Sequence, residues 1–256
     1  MYQWLVKIEP NEEKEAIMIS ISTPNPGIAE QSLHGVKREI YLKLQAARES
    51  FVYSSHRELE FELSLRANTI QAALDLNKSG AIFTSFQYST FNPAFWVRSR
   101  SGYLLRPDVL PSQAIRDLFQ NGKMYGFECS TAMVIVFYKA VLDSIRESHF
   151  NYLFNNLLVW NWNNDPDMEI ITRVGSEFIP GDVIYFNNPD FREPIWRGAN
   201  AVVLGGNQYY AHGIGIKTVE DMIAALNTLR KENATQSAYM LNQHSRLNVR
   251  YLYRFS

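Results

Sequence analysis

The chain has 256 residues, 46% of them apolar and 13% aromatic, which suits one large globular domain with a substantial core. Its 25 basic and 26 acidic residues leave a formal charge of −1, so nothing in the balance attracts nucleic acid or an anionic membrane wholesale. The longest uninterrupted apolar run, Ala132 to Tyr138, falls far short of the roughly 20 residues that cross a bilayer, and the opening MYQWLVKIEPNEEKEA lacks the layout of a secretory signal, so a cytoplasmic protein is expected.

Residues 1–50 carry mixed signals: a short strand at Ile17 to Ile21, a turn cluster at Pro24, Pro26 and Gly27, and a helix-like stretch from Ile40 to Ala47. They read as an extension packed on a single core domain spanning residues 51–256. From Ser55 to Lys78 the pattern is clearer. Leu59, Leu63, Ile70, Ala73 and Leu74 share one helical face, Ser55 is a plausible N-cap and Gly80 lies just past the end, so the spacing predicts a long amphipathic helix. Ala81 to Leu105, punctuated by Asn92-Pro93 and Ser101-Gly102, reads as irregular or short-stranded.

Pro111-Ser112 caps a short helix that stops at Asn121-Gly122 and delivers the chain to GKMYGFECSTAMVIVFYKAVLD, whose residues from Ala132 onward suit a buried helix. Asn151 to Asn164 is aromatic and amide-rich, and ends in Trp160, Asn161 and Trp162. Then the period changes to two. Met168 to Thr172, Asp182 to Phe186, Ala201 to Leu204 and Gln208 to Ile216 are β-prone runs separated by Gly, Pro and Asn, as in hairpin-linked strands. Thr218 opens a last helix with Asp221 three residues on and Leu226 and Leu229 facing inward. Helices, then an antiparallel sheet, then a helix make an α+β layout.

Cys129 is the only cysteine, so the thiol is a small buried hydrophobe, a chance survivor or a nucleophile. Gly122 and Gly126 precede it, and Ser130 and Thr131 follow. That setting puts it at a helix N-terminus, where unpaired N–H groups and the dipole are expected to lower a thiol's pKa. Glu128 is either a capping partner of that helix or an acid beside the thiol. His212, in YYAHGIG, falls on a predicted strand, where a structurally bonded ring is the commoner role. Trp162 and Trp196 either fill the core or line a substrate channel. The five histidines are scattered and there is no CxxC or HExxH spacing, so no metal site is indicated. Gly205-Gly206 reads as a hairpin turn rather than a phosphate loop.

The stretch AIRDLFQNGKMYGFECSTAMVIVFYKAVLD, followed by PGDVIYFNNPDF, WRGANAVVLG, YYAHGIGI and QSAYMLNQHSRLNV, resembles the spore-associated bacterial protein-glutamine γ-glutamyltransferases, the transglutaminases of Bacillus and its relatives. The resemblance runs from about His56 to Arg254. It implies a papain-like core of the NlpC type, with the cysteine helix packed on an antiparallel sheet and extra helices around it. It also implies cross-linking of glutamine to lysine in spore-coat proteins, first in the mother-cell cytoplasm and then on the coat, without metal or other cofactor. Substrates would enter a tunnel from opposite ends. By position, Cys129 matches the family's nucleophile, Glu128 the glutamate before it, Trp162 and Trp196 the tunnel walls, and His212 the histidine of the AHG strand. The family's WRGEN motif carries the catalytic glutamate, whereas this chain has Trp196, Arg197, Gly198, Ala199 and Asn200.

That reaction has a thiol attack the γ-carboxamide carbon, ammonia leave, and a lysine amine or water attack the thioester. Both halves need a proton carrier, and an ordinary glutamate is about four pKa units more acidic than a thiol, a gap of roughly 5 to 6 kcal/mol that burial narrows. Losing general acid–base help typically lowers the rate about a hundred- to ten-thousand-fold. With Ala199 at the expected base position, Glu128 is the first stand-in, His212 the second and Glu193 a distant third. Activity is therefore expected to be reduced or lost. The alternatives are a non-catalytic coat or binding protein that keeps the site, and a cysteine hydrolase.

Overall fold

The structure, a computed structural model, describes residues 19–21 and 30–256; the turn cluster at Pro24, Pro26 and Gly27 lies outside them. Strand β1 (Ile19–Ile21) pairs in parallel with β2 (Phe51–Tyr53), and α1 (Gly35–Ala46) buries Ile40 and Leu44 against α2 (His56–Lys78). The Ser55 hydroxyl accepts a hydrogen bond from the Glu58 amide at 3.2 Å, which starts α2 where the cap signal places it. Leu59, Leu63, Ile70 and Ala73 are buried as expected. A single apolar face is too simple, however, because Glu58, Glu62 and Arg66 are buried too.

Short strands β3 (Ile82–Phe83), β4 (Trp96–Ser99) and β5 (Gly102–Leu105) follow, then α3 (Pro111–Gln120), which has Pro111 in its first turn and Leu110 at the cap. Strand β6 (Gly126–Phe127) pairs in parallel with β3 and feeds α4 (Cys129–Leu142). Every residue of α4 except Lys139 is buried, the mark of a helix enclosed on all sides. Helix α5 (Glu147–Leu153), which no sequence signal singled out, runs into the aromatic, amide-rich stretch, and β7 (Leu158–Val159) within that stretch joins the β4–β5 hairpin.

The rest of the chain builds the main sheet from β8 (Ile170–Val174), β9 (Val183–Asn187), β10 (Gly198–Gly205), β11 (Gln208–Ala211) and β12 (Gly215–Lys217). After α6 (Val219–Asn227), β13 (Tyr239–Leu247) leads into α7 (Val249–Leu252). The strands run antiparallel in the order β12–β11–β10–β9–β13–β8. The run expected at 208–216 is two strands, because the chain turns after Ala211 with Gly213 at φ +95°. The last helix is not the last element either: β13 enters the sheet between β9 and β8. Its polar centre, Asn242 to Ser245, hides the strand period.

Alternation sorts the side chains of the sheet onto two faces. Val183, Val202 and Tyr210 join the α4 core, whereas Ile184, Phe186, Ala199, Ala201 and Val203 pack with Met222 and Leu226 of α6. The two halves are tied by a buried ionic chain. Arg66 donates to Glu62 at 2.7 Å and to Asp182 at 2.8 Å, and Asp182 also accepts from Arg246 of β13 at 2.8 Å. Among the described residues no helix is long and apolar enough to cross a membrane.

Removing one member of a buried ionic set strands the others in low dielectric, a loss of about 3–5 kcal/mol. Asp182→Asn, which leaves Arg66 and Arg246 short of an anion, is therefore expected to lower the melting temperature by roughly 6–20 °C. Circular dichroism melts measure it, and a shift of only about a degree would show that the set carries no such weight.

Candidate functional site

The first turn of α4 is organised by the side chain of its own cap. Glu128 Oε1 accepts from the Thr131 amide at 2.7 Å, the Thr131 hydroxyl at 2.6 Å and the Ser130 hydroxyl at 2.8 Å. The other carboxylate oxygen, Oε2, is buried without a hydrogen-bond partner. Thr131 does a second job: its Oγ1 accepts from the Asn161 amide at 2.8 Å, which holds the Trp160–Asn163 turn against the helix start. Asn161 sits in the left-handed region at φ +56°, and so Trp162 follows it into the cavity that Cys129 lines.

That cavity has a volume of about 740 Å³. Cys129 lines it at the first position of α4, 9% exposed, and Asn200 Nδ2 donates to its Sγ at 3.5 Å. Tyr185, cross-strand neighbour of Asn200, lines the same space. Gly198 makes this approach possible, because a Cβ there would lie 2.2 Å from the Tyr185 hydroxyl and 2.3 Å from the Phe186 carbonyl. Among the described residues Glu128 is the only carboxylate lining the cavity. The lining can therefore hold a nucleophilic sulfur, a donor to it, and one acceptor oxygen left open.

The helix N-terminus does not decide the thiol's acidity. Burial pushes the Cys129 pKa up and the Glu128 charge adds to that, against the backbone and side-chain donors of Asn200, which pull it down. The expected lowering is thus reversed in direction. Tyr185 is pushed up as well, chiefly by burial and also by the charge on Cys129, so its phenol stays protonated and remains a donor.

The sequence candidates divide. Cys129, Glu128 and Trp162 meet at the cavity. Ala199 is buried on the other side of β10, its methyl in the cluster with Ile184 and Phe186, and it is the next residue, Asn200, whose side chain reaches the sulfur. Trp196 stays outside the cavity lining and stacks on Phe83 with ring centroids 4.6 Å apart. Glu193 is exposed and pairs with Arg192.

His212 is also a correction. It lies in the turn after β11, its ring nitrogens meeting the Tyr210 hydroxyl at 3.2 Å and the Ile82 carbonyl at 3.3 Å. It packs on Phe127, centroids 4.9 Å apart, and is absent from the cavity lining. Burial pulls its pKa down to about 4, so the ring is a neutral brace under the strand that leads to Cys129.

Sequence reasoning missed Asn200 and Tyr185. Alternation from Val183 places Tyr185 on the α4 side, and the same period puts Asn200 opposite it, so both were recoverable once the register was known. Among the described residues no three of His, Cys, Asp and Glu converge as a metal site requires.

The family model described as "Protein-glutamine gamma-glutamyltransferase" matches residues 16–256. A protein of that name from Bacillus pumilus (strain SAFR-032) is 46% identical over 231 residues, covering 89% of this chain and 94% of its own. Another of that name from Halalkalibacterium halodurans is 43% identical over 216 residues, covering 83% and 76%. The solved structure described as "Transglutaminase from Geobacillus stearothermophilus (without C-terminal extension)" superposes with a TM-score of 0.76 at 49% identity, over 79% of this chain and 98% of that one.

Two outcomes are expected of the site. Iodoacetamide should label Cys129 slowly near neutral pH, with a midpoint above the roughly 8.5 of a free thiol. Asn200→Ala removes a donor that favours the thiolate and should move that midpoint further up; a midpoint below the free-thiol value in the unaltered chain would contradict this balance. The His212 ring, followed by NMR, should stay neutral down to about pH 4. A folded pKa below the unfolded 6.5 means its contribution to stability is complete above 6.5 and disappears as pH falls through about 4, and His212→Gln should flatten that part of the acid melting profile.

Proposed function

Because the chain belongs to the protein-glutamine γ-glutamyltransferase family of acyltransferases, we propose that it joins glutamine and lysine side chains of proteins through a thioester on Cys129. The observation that carries this reading is the grouping at the head of α4. The Cys129 sulfur faces a cavity, an Asn200 amide lies 3.5 Å from it, and the preceding residue holds an unpartnered buried carboxylate oxygen. In this reading the Cys129 proton passes to Glu128 Oε2 as the sulfur attacks the γ-carboxamide carbon, and is then given to the departing ammonia. A lysine amine next attacks the thioester carbon, the C–S bond breaks, and the second amine proton passes to Glu128. Asn200 Nδ2 stabilises the thiolate at both ends of the cycle, and the Tyr185 hydroxyl offers a donor to the oxygen of the tetrahedral intermediate.

Turnover is reduced, since one carboxylate serves both halves and Ala199, where the resemblance expects another, contributes only a methyl group. The cysteine helix lying on an antiparallel sheet supports a papain-like core, with residues 51–256 as the catalytic domain and the described residues before them, 19–21 and 30–50, as an extension packed on it. The physiological substrates are spore-coat proteins, met first in the mother-cell cytoplasm and then on the coat; this part rests on the sequence resemblance.

Incorporation of a fluorescent primary amine into casein tests the reaction. Cys129→Ala is expected to abolish it and Glu128→Gln to lower it about a hundred- to ten-thousand-fold. Ammonia release with no amine incorporated would favour a hydrolase, and no acyl-enzyme at all a binding protein. The role of position 199 is separable. A carboxylate there starts on the Phe186 side, so Ala199→Glu gains about a hundredfold only if the start of β10 turns it toward the sulfur. Unchanged incorporation means that the new carboxylate stays on the Phe186 side, away from the sulfur.

A further inference from the structure

The stretch from Pro194 to Gly198 forms one rim of the cavity and carries a charge that the steps above do not use. Pro194, Ile195, Arg197 and Gly198 line the space, while Trp196 turns onto Phe83. The backbone here is pinned. Buried Asn188 donates from Nδ2 to the Trp196 carbonyl at 2.9 Å and from its amide to the Arg197 carbonyl at 2.9 Å, and the Arg197 amide donates to the Pro194 carbonyl at 3.3 Å. The side chain that leaves this fixed root is exposed. Nearby Arg192 is offset by Glu193 at 3.8 Å, but among the described residues no carboxylate pairs with Arg197.

We propose that Arg197 is a specificity-determining residue for the acyl donor: it favours a segment whose reactive glutamine has Asp or Glu beside it in sequence and disfavours one with a basic neighbour. This rests on the acyl-transfer reading of the site and names the class of glutamine substrate. The charges of the lining are sorted by depth. Among the described residues Glu128 is its only carboxylate and is buried, whereas Arg197 is its only lysine or arginine and is exposed. Burial and then the charge on Cys129 push the Tyr185 pKa up, and the Arg197 guanidinium opposes them, so its positive charge is felt at a hydroxyl of the cavity wall. A carboxamide is neutral and gains little from that field. In an extended segment adjacent side chains point to opposite sides, so when the glutamine reaches in toward the sulfur its neighbour stays outside, at the level of the rim.

The size of the effect follows from exposure. A solvated ion pair changes affinity only a few-fold, but exchanging an acidic neighbour for a basic one removes an attraction and adds a repulsion, for a total of about three- to tenfold at low ionic strength. The screening length falls from about 10 Å at 0.1 M salt to about 3 Å at 1 M, so the discrimination should fade as salt is added.

The test uses acetyl-Gly-Gln-Gly-amide and versions of it with Glu or Arg on either side of the glutamine; Arg is chosen over Lys because its guanidinium stays protonated and cannot serve as acyl acceptor. The kcat/KM for incorporation of a fluorescent primary amine is compared between peptides within each variant, so that a general loss of activity cancels. In the unaltered chain a Glu peptide is expected to exceed its Arg counterpart about three- to tenfold, in KM rather than kcat, and by less than about twofold in roughly 1 M NaCl. Arg197→Gln should erase the order, Arg197→Glu reverse it and Arg197→Lys keep it. No preference in the unaltered chain, or one that survives in Arg197→Gln, overturns the assignment. The same peptides are also ranked by how far they slow iodoacetamide labelling of Cys129, which needs no turnover. If the order appears there while no peptide supports amine incorporation, the acyl-transfer reading fails and the role of Arg197 stands; if it is absent there too, both fail.

Discussion

The site depends on how one carboxylate divides its two oxygens. Three donors, two from Thr131 and one from Ser130, converge on Glu128 Oε1 and use it to begin the central helix. With that oxygen committed, the carboxylate has little freedom to rotate, and Oε2 is buried without a hydrogen-bond partner. The same arrangement fixes the Trp162 turn through Thr131 Oγ1. The bonds that cap α4 therefore also fix the orientation of the second carboxylate oxygen, so one secondary-structure device sets both.

Around this point the protein keeps its thiol in an apolar setting and lets local donors work against burial. The fully enclosed α4 supplies the low dielectric, and Asn200 supplies the opposing hydrogen bond. A thiol held high in pKa is a poor nucleophile at rest but is protected from solvent chemistry. Its reactivity then rests on a proton acceptor at hand rather than on a standing thiolate. The ionic chain through Arg66, Asp182 and Arg246 serves a different end. It locks α2 to the strands that floor the cavity, and it sits one residue before Val183 on β9 and two after His244 on β13.

Much of this was legible in the residues, for identifiable reasons. The α2 and α4 boundaries follow from Ser55 and Glu128, because caps are local and a single side chain announces them. Cys129, its neighbouring glutamate and Trp162 were singled out by composition and resemblance, and all three meet in space. What stayed hidden depends on long-range pairing. Neither the face occupied by Ala199 nor the partnership of Asn200 with Tyr185 is set until β9 and β10 are in register. β13 was missed because its bulge breaks the period and its polar side chains turn toward the cavity and the ionic chain rather than into apolar core. His212 misled for the opposite reason, since a histidine on an apparent strand gives no sign that its nitrogens are already taken by Tyr210 and Ile82.

The place of β13 in the sheet has a consequence for biosynthesis. Its residues, 239–247, are made after every other strand of the sheet, yet they lie between β9 and β8 and flank the cavity. A chain still emerging from the ribosome can assemble α2 and α4 early, but β8 has no neighbour in the sheet and the cavity has no far wall until β13 threads in. The enzyme is consequently assembled inert. Synthesis of β13 is the moment at which the two walls of the cavity first face each other.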